Sequence, residues 1–344
     1  MNRLASLDGL RALSVMAVVW HHTRPSDGTA LLAGRGYLGV DVFFVISGFL
    51  ITALLLREER ERGKARLGRF WARRALRLFP LWYAILATLT VVLLWITPDA
   101  PMREAFFADL PWNATYTSNF IPGGTFLALS WSLATEEQFY VLWPLLLTRA
   151  RAAAPAALLI AGGLSVGVHL GAFDPWLESW IGPRWTYYAA LTATLLPLAL
   201  GCGLALALHG RDRPSGWARS LAHPAAAPLA LAAVVAAASS PLEEGTTRLV
   251  AQLAASVLVA ACALGDDSAG WLRTRPLRWI GERSYGVYLL HMIVLQGVFA
   301  LDLAPDGHRG PEIFALTLAG TLVAAGLSYR FLETPFLRMK ERVR

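Results

Sequence analysis

Residues 10–22, Leu-Arg-Ala-Leu-Ser-Val-Met-Ala-Val-Val-Trp-His-His, decide how this chain is built. They form an apolar run of membrane-spanning character, broken by one charge, Arg11, and ended by the pair His21 and His22. An ionised side chain inside a membrane helix costs about 2.5–3.5 kcal/mol on insertion scales, so one retained there faces a partner, a cavity or a ligand path. At about 100° per residue, the eleven-residue step from Arg11 to His22 falls within roughly 20° of whole turns, whereas His21 lies about 80° off that face. His22 shares the face of Arg11 and His21 does not. The same step covers about 16 Å of helix axis, so the two residues mark different depths of one wall and are not an ion pair.

Outward from this run the character persists. Of 344 residues, 56% are hydrophobic and 16% charged, with a mean hydropathy of +0.47. These values lie far from soluble averages and indicate an all-α integral membrane protein. Ten apolar runs are expected to be its transmembrane helices: 4–20, 37–56, 78–96, 129–147, 152–172, 187–208, 224–238, 249–264, 285–301 and 313–332. A span needs about 20 residues, so the short seventh and eighth runs are expected to be extended by their flanks. Residues 1–344 are read as one membrane-embedded domain with no appended soluble domain.

The charges between the runs set the orientation. With the N-terminus inside, the expected cytoplasmic segments hold 23 Lys and Arg and the outer ones six, while Arg11 and Arg330 fall within helices. Positive charge stays on the cytoplasmic side, which places both termini there, in the cytoplasmic (inner) membrane of a bacterial cell. The net charge of +7 is then explained by topology and anionic lipid headgroups, and calls for no nucleic acid. Arg11 and the lack of a small-x-small cleavage site argue that the first run is a retained helix and not a signal peptide. Cys202 and Cys262 sit in apolar runs with no partner at metal spacing, so they read as packing residues, with neither disulfide nor metal expected.

Four further places hold polar groups where apolar ones would be cheaper. Asp41 lies a few residues into the second helix, at a depth similar to His22, where a carboxylate complements the helix N-terminus. Glu136 and Glu137 are adjacent, about two turns into the fourth helix. Neighbours point about 100° apart, so at most one faces a given cavity, and pairing with a buried arginine is the alternative. His291, mid-way along the ninth helix, is either a satisfied core histidine or a catalytic one. Arg66, Arg69, Arg73 and Arg77 recur at helical spacing with Arg74 beside them, in an amphipathic cytoplasmic helix whose apolar side is Phe70, Trp71, Leu76 and Leu78. Two readings are open: an interfacial helix, or a phosphate clamp, for which arginine's planar fork and the three-residue step from Arg74 to Arg77 are suited.

Taken together, six stretches resemble the membrane acyltransferase family 3, bacterial multi-pass proteins that O-acylate sugars, polysaccharides and some macrolides. They are Leu7-Asp8-Gly9-Leu10-Arg11-Ala12 with His22 eleven residues after the arginine; residues 39–52; Arg73-Arg74-Ala75-Leu76-Arg77 followed by Pro80; residues 131–140; residues 284–291; and Tyr329-Arg330-Phe331-Leu332-Glu333-Thr334-Pro335. The resemblance implies acyl-CoA, in the simplest case acetyl-CoA, as a donor used from the cytoplasmic side. The acceptor would be a hydroxyl of a carbohydrate, a polysaccharide precursor or a macrolide. Arg74 and Arg77, with Arg73, would hold the donor's phosphates, and Arg11 and Glu333 would border the way in for the pantetheine arm. His22 would take the acceptor's proton or carry the acyl group itself, and His291 would belong to the same site. Asp41, or one of Glu136 and Glu137, would orient the other ring nitrogen of His22. A second domain found in many relatives is not expected here. The competing class is a transporter or flippase of an anionic lipid-linked or nucleotide-linked sugar, with Arg11, His22, His291 and the acids lining its path. The absence of an inverted repeat and of paired Gly/Pro-broken segments argues against it.

Overall fold

The structure, a computed structural model, describes residues 2–24, 34–97, 102–121, 127, 129–181, 194–209, 216–264, 268–303 and 310–342. Ten helices among them fall in the ten apolar runs: α1 (Asn2–Thr23), α2 (Leu38–Arg62), α3 (Leu67–Val91), α4 (Ser130–Arg149), α5 (Ala154–His169), α6 (Leu195–Leu208), α7 (Ala226–Ala238), α8 (Glu244–Leu264), α9 (Ser284–Ala300) and α10 (Pro311–Ser328). Among the described residues five stretches are long and apolar enough to cross a membrane by length and composition: Leu38–Arg62, Leu67–Ile96, Arg151–His169, Glu244–Leu264 and Pro311–Met339. The expected flanking extension occurs in α8, which starts at Glu244 and takes Arg248 into the helix. It does not occur in α7, whose 13 residues end in turns on both sides. Part of the sixth run, 187–193, lies outside the described residues.

The basic stretch 66–77 is not a separate interfacial helix. It is the first part of α3, which runs unbroken through Pro80 and continues as a wider π turn, Val92–Ile96. Arg73, Arg74 and Arg77 therefore project from one end of this long helix toward cavities of the bundle, while Arg66 is exposed.

Two apolar cores flank a polar seam. One joins α1, α2, α7 and α8 through Leu10, Ile46, Ala230 and Leu258. The other joins α3, α4, α9 and a short helix, Arg103–Ala114, through Trp82, Leu133, Leu289 and Phe106. Small residues let the backbones meet. A methyl group at Gly48 of α2 would strike the carbonyl oxygen of Leu198 on α6, and one at Gly201 of α6 would strike that of Val45 on α2. Gly48→Val and Gly201→Val should each lower stability by about 1–3 kcal/mol through overpacking. The check is the thermal midpoint in detergent, with Gly203→Ala as control, since nothing lies within 4 Å of a methyl there. An unchanged midpoint in both valine variants would contradict this packing.

The arginine-rich segments meet at one end of the bundle. Arg73 of α3 pairs with Glu58 of α2 at 3.4 Å, Arg151 pairs with Glu59 at 2.9 Å, and Arg273 donates to Ser6 Oγ at 2.8 Å. At the other end Arg35 donates to the Ser240 and Leu242 carbonyls at 2.6 and 2.9 Å.

The α3–α4 connection differs from the outer loop expected from the sequence. Residues 103–121 fold back between α3 and α4, and the tip, Tyr116, stacks on Phe79 with ring centroids 5.3 Å apart. Tyr83 is eight residues, about 12 Å, below the α3 end at Val91, and Gln138 is as far below the α4 start. Irregular backbone at such depth needs internal partners. Trp82 Nε1 donates to Asn113 O at 3.1 Å, Tyr83 Oη to Ala114 O at 2.8 Å and Gln138 Nε2 to Tyr116 O at 3.0 Å. Gln138 and Asn119 also exchange amide hydrogen bonds at 2.8 and 2.9 Å. These contacts hold Tyr116 at a left-handed φ of 55°, which is strained for a residue with a side chain.

Candidate active site

At the arginine-rich end a cavity of about 580 Å³ opens between α1, α2 and α3, with Arg57, Glu58, Arg62 and Arg73 on its walls. A second cavity of about 80 Å³ continues inward between α1, α2, α3, α4 and α9, lined by Ser47, Ser132, Glu136, Tyr140, Tyr285 and Tyr288 among others. Arg11, Arg74 and Arg77 line both and so form the neck between them.

The neck concentrates positive charge. The Arg11 side chain is 14% exposed, and its ion pair with Asp8, one turn earlier, is long at 3.5 Å. Among the described residues Arg74 and Arg77 have no hydrogen bond and no carboxylate within 4.0 Å. Arg74 instead lies over the Tyr140 ring, 4.3 Å from its centroid. A planar aromatic face orients the guanidinium while leaving its donors directed elsewhere. Three guanidinium groups with this much unused donor capacity make a neck suited to an anion with several oxygens.

The adjacent acids part company, as their angular separation requires. Glu136 faces the smaller cavity and accepts a short hydrogen bond from Ser47 Oγ, which accepts one from Tyr140 Oη at 3.2 Å. Glu137 is turned away, and its buried Oε1 has no hydrogen-bond partner among the described residues.

Farther along α1, the two histidines diverge. Nδ1 of His21 lies 2.5 Å from Gly34 O, and its ring meets Tyr37 edge-on. His22 instead turns to α9, where its Nδ1 is 3.2 Å from Nε2 of His291 and 3.0 Å from Val18 O. His291 is fully buried, and its Nδ1 is 2.5 Å from Tyr288 O. Tyr288 links this pair to the cavity, because its side chain lines the wall while its hydroxyl sits 2.6 Å from Ser132 Oγ and donates to Leu129 O at 3.0 Å. His22 thus lies against α9 at His291, while Arg11 lines the smaller cavity together with Ser284, Tyr285 and Tyr288 of α9.

Three expected roles are corrected by this geometry. Asp41 does not touch His22. It is 1% exposed, and Arg248 of α8 holds it with a fork of two bonds at 2.9 and 3.0 Å, joined by Gln252 at 3.0 Å. The paired charge ties α2 to α8, and its donors come from α8, not from an imidazole. Neither Glu136 nor Glu137 reaches His22; the group beside its Nδ1 is His291. Glu333 lines neither cavity. It is buried in the π turn Tyr329–Glu333, accepts from Ser328 Oγ at 3.1 Å and packs beside Gly286. Arg73 stays at the rim, engaged by Glu58. Sequence reasoning passed over Ser47, Ser132, Tyr140 and Tyr288. A signal existed for Tyr288, which is three residues before His291 and hence on its face.

Comparison with known proteins gives the family of the chain. The chain is 32% identical over 362 residues to YrhL of Bacillus subtilis (strain 168), named provisionally as a peptidoglycan O-acetyltransferase, covering 96% of this chain and 54% of that protein. It is 31% identical over 355 residues to the peptidoglycan O-acetyltransferase OatA of Listeria monocytogenes, covering 96% and 55%. It is also 29% identical over 356 residues to an O-acetyltransferase of provisional name, SACOL0978 of Staphylococcus aureus (strain COL), covering 98% and 58%. The chain spans about half the length of the curated relatives it matches. No solved structure matches it. A family model described as an acyltransferase domain, the third of that name, covers residues 4–330, and the chain belongs to this acyltransferase-3 family.

Proposed function

We propose that the protein moves an acetyl group from acetyl-CoA, taken up at the arginine-rich cytoplasmic end, to a hydroxyl of a cell-wall-type glycan. The observation that carries this reading is the arginine neck, which joins an open cavity to a narrow one running toward the His22–His291 pair. The excess of Lys and Arg in the segments meeting at that end supports its cytoplasmic side. The names of the relatives support the acceptor class.

In this reading Arg74 and Arg77 hold the donor's phosphates and Arg11 narrows the passage so that only the thin pantetheine arm goes on. His22 acts on the acceptor. The acceptor hydroxyl gives its proton to the imidazole as its oxygen attacks the thioester carbonyl; the C–S bond then breaks and the proton passes to the leaving thiolate. The alternative order, in which His22 takes the acetyl group and water-free transfer to the hydroxyl follows, uses the same residue as carrier.

The test is acetyl transfer in oriented membrane vesicles. Inverted vesicles loaded with soluble peptidoglycan fragments and given labelled acetyl-CoA outside should accumulate acetylated glycan, whereas sealed right-side-out vesicles should not. Label appearing only in right-side-out vesicles would overturn the donor side. Movement of an intact nucleotide-linked sugar without acetylation would overturn the enzyme reading in favour of a transporter.

A further inference from the structure

We infer that His291 is a positioning residue that holds His22 in the tautomer carrying its proton on Nδ1, which makes Nε2 the nitrogen that reacts. The inference rests on the reading of His22 given above and specifies which of its atoms is used.

A carbonyl oxygen only accepts hydrogen bonds. Nδ1 of His291, 2.5 Å from Tyr288 O, must therefore carry a proton, and a neutral His291 then presents an unprotonated Nε2. That Nε2 lies 3.2 Å from Nδ1 of His22, which is also 3.0 Å from Val18 O. The two groups placed beside His22 Nδ1, Val18 O and His291 Nε2, are both acceptors. A proton there satisfies both, and a lone pair there would face two others at a half-buried position. The lone pair of His22 is thereby assigned to Nε2.

The arrangement does the work that a carboxylate does behind the histidine of a Ser-His-Asp triad, which fixes the tautomer and stabilises the imidazolium. The acceptor here is a neutral imidazole. When His22 gains a proton on Nε2, its Nδ1–H still points at two lone pairs, and the positive charge strengthens both bonds. Protonation of His291 on Nε2 would instead set two N–H groups against each other, so the pair is built to carry one charge, on His22.

The deciding measurement needs neither substrate nor variant activity. Nitrogen NMR of ring-labelled histidine in the purified protein, with the His22 signals assigned by difference against His22→Ala, should show Nδ1 protonated and Nε2 unprotonated. The opposite tautomer in the wild-type protein overturns the inference. A second arm compares His291→Gln, whose amide oxygen reaches about the place of Nε2, with His291→Phe, which has no acceptor. His291→Phe should lower kcat on the order of 10²-fold at unchanged KM for the donor, and His291→Gln should recover part of that loss. Equal losses in two folded variants would overturn the acceptor role. If neither variant folds, the wild-type spectrum decides alone. The expected tautomer in a protein that transfers no acetyl group would leave this inference standing and remove the proposed function.

Discussion

His22→Ala is expected to lower acetyl transfer by about 10²- to 10⁴-fold if His22 is a general base, and to leave no transfer at all if it is a covalent carrier. His21→Ala should keep most of the activity. The contrast follows from where the two rings go: His22 turns to α9 and its histidine, while His21 turns to Gly34 and Tyr37, in the lead-in to α2. Loss of the His21 contact removes one hydrogen bond, worth about 0.5–1.5 kcal/mol of stability. The measurement is the initial rate of glycan acetylation by equal amounts of folded protein, with a long incubation of His22→Ala to read its residual rate. Comparable losses in the two variants would contradict the assignment. A residual rate well above the uncatalysed one would exclude the carrier.

Removal of the neck arginines is expected to weaken donor binding, by a smaller but still large margin. A hydrogen bond to a charged group contributes about 1.5–3 kcal/mol, so Arg74→Ala and Arg77→Ala should each raise the KM for acetyl-CoA by roughly 10- to 150-fold. The KM for the glycan should change little. Lysine should rescue only in part at position 74, because it can lie over Tyr140 but cannot offer a planar fork. Acetyl-pantetheine, a thioester donor without phosphates, separates this from general damage. With that donor the wild type and both alanine variants should perform alike, and an equal penalty with both donors would return these residues to a structural role.

Much of the fold was legible because it rests on local signals. Apolar runs and the spacing of Arg11 and His22 depend on helix geometry alone, and α1 to α10 fall in those runs. What escaped was long-range. Asp41 looked available because its partners, Arg248 and Gln252, are 207 and 211 residues away. The residue beside Nδ1 of His22 is likewise 269 residues distant, and no periodicity announces it. The basic stretch 66–77 was separated from the third run because its arginines interrupt the apolar pattern, although the helix itself does not break. Residues 103–121 fall between the third and fourth apolar runs and so read only as part of an outer connection. Their place in the bundle is set by Trp82, Tyr83 and Gln138 on other elements.

That in-folded segment also constrains the order of biogenesis. The helix Arg103–Ala114 has 12 residues, about 18 Å of length, and cannot be inserted as a span in its own right. The polar atoms of its tip find their partners on α3 and α4, and Gln138 is translated after the segment itself. No stable resting place exists for residues 103–121 until α4 has entered the bilayer, so this wedge is seated after its neighbours, as a late act of assembly.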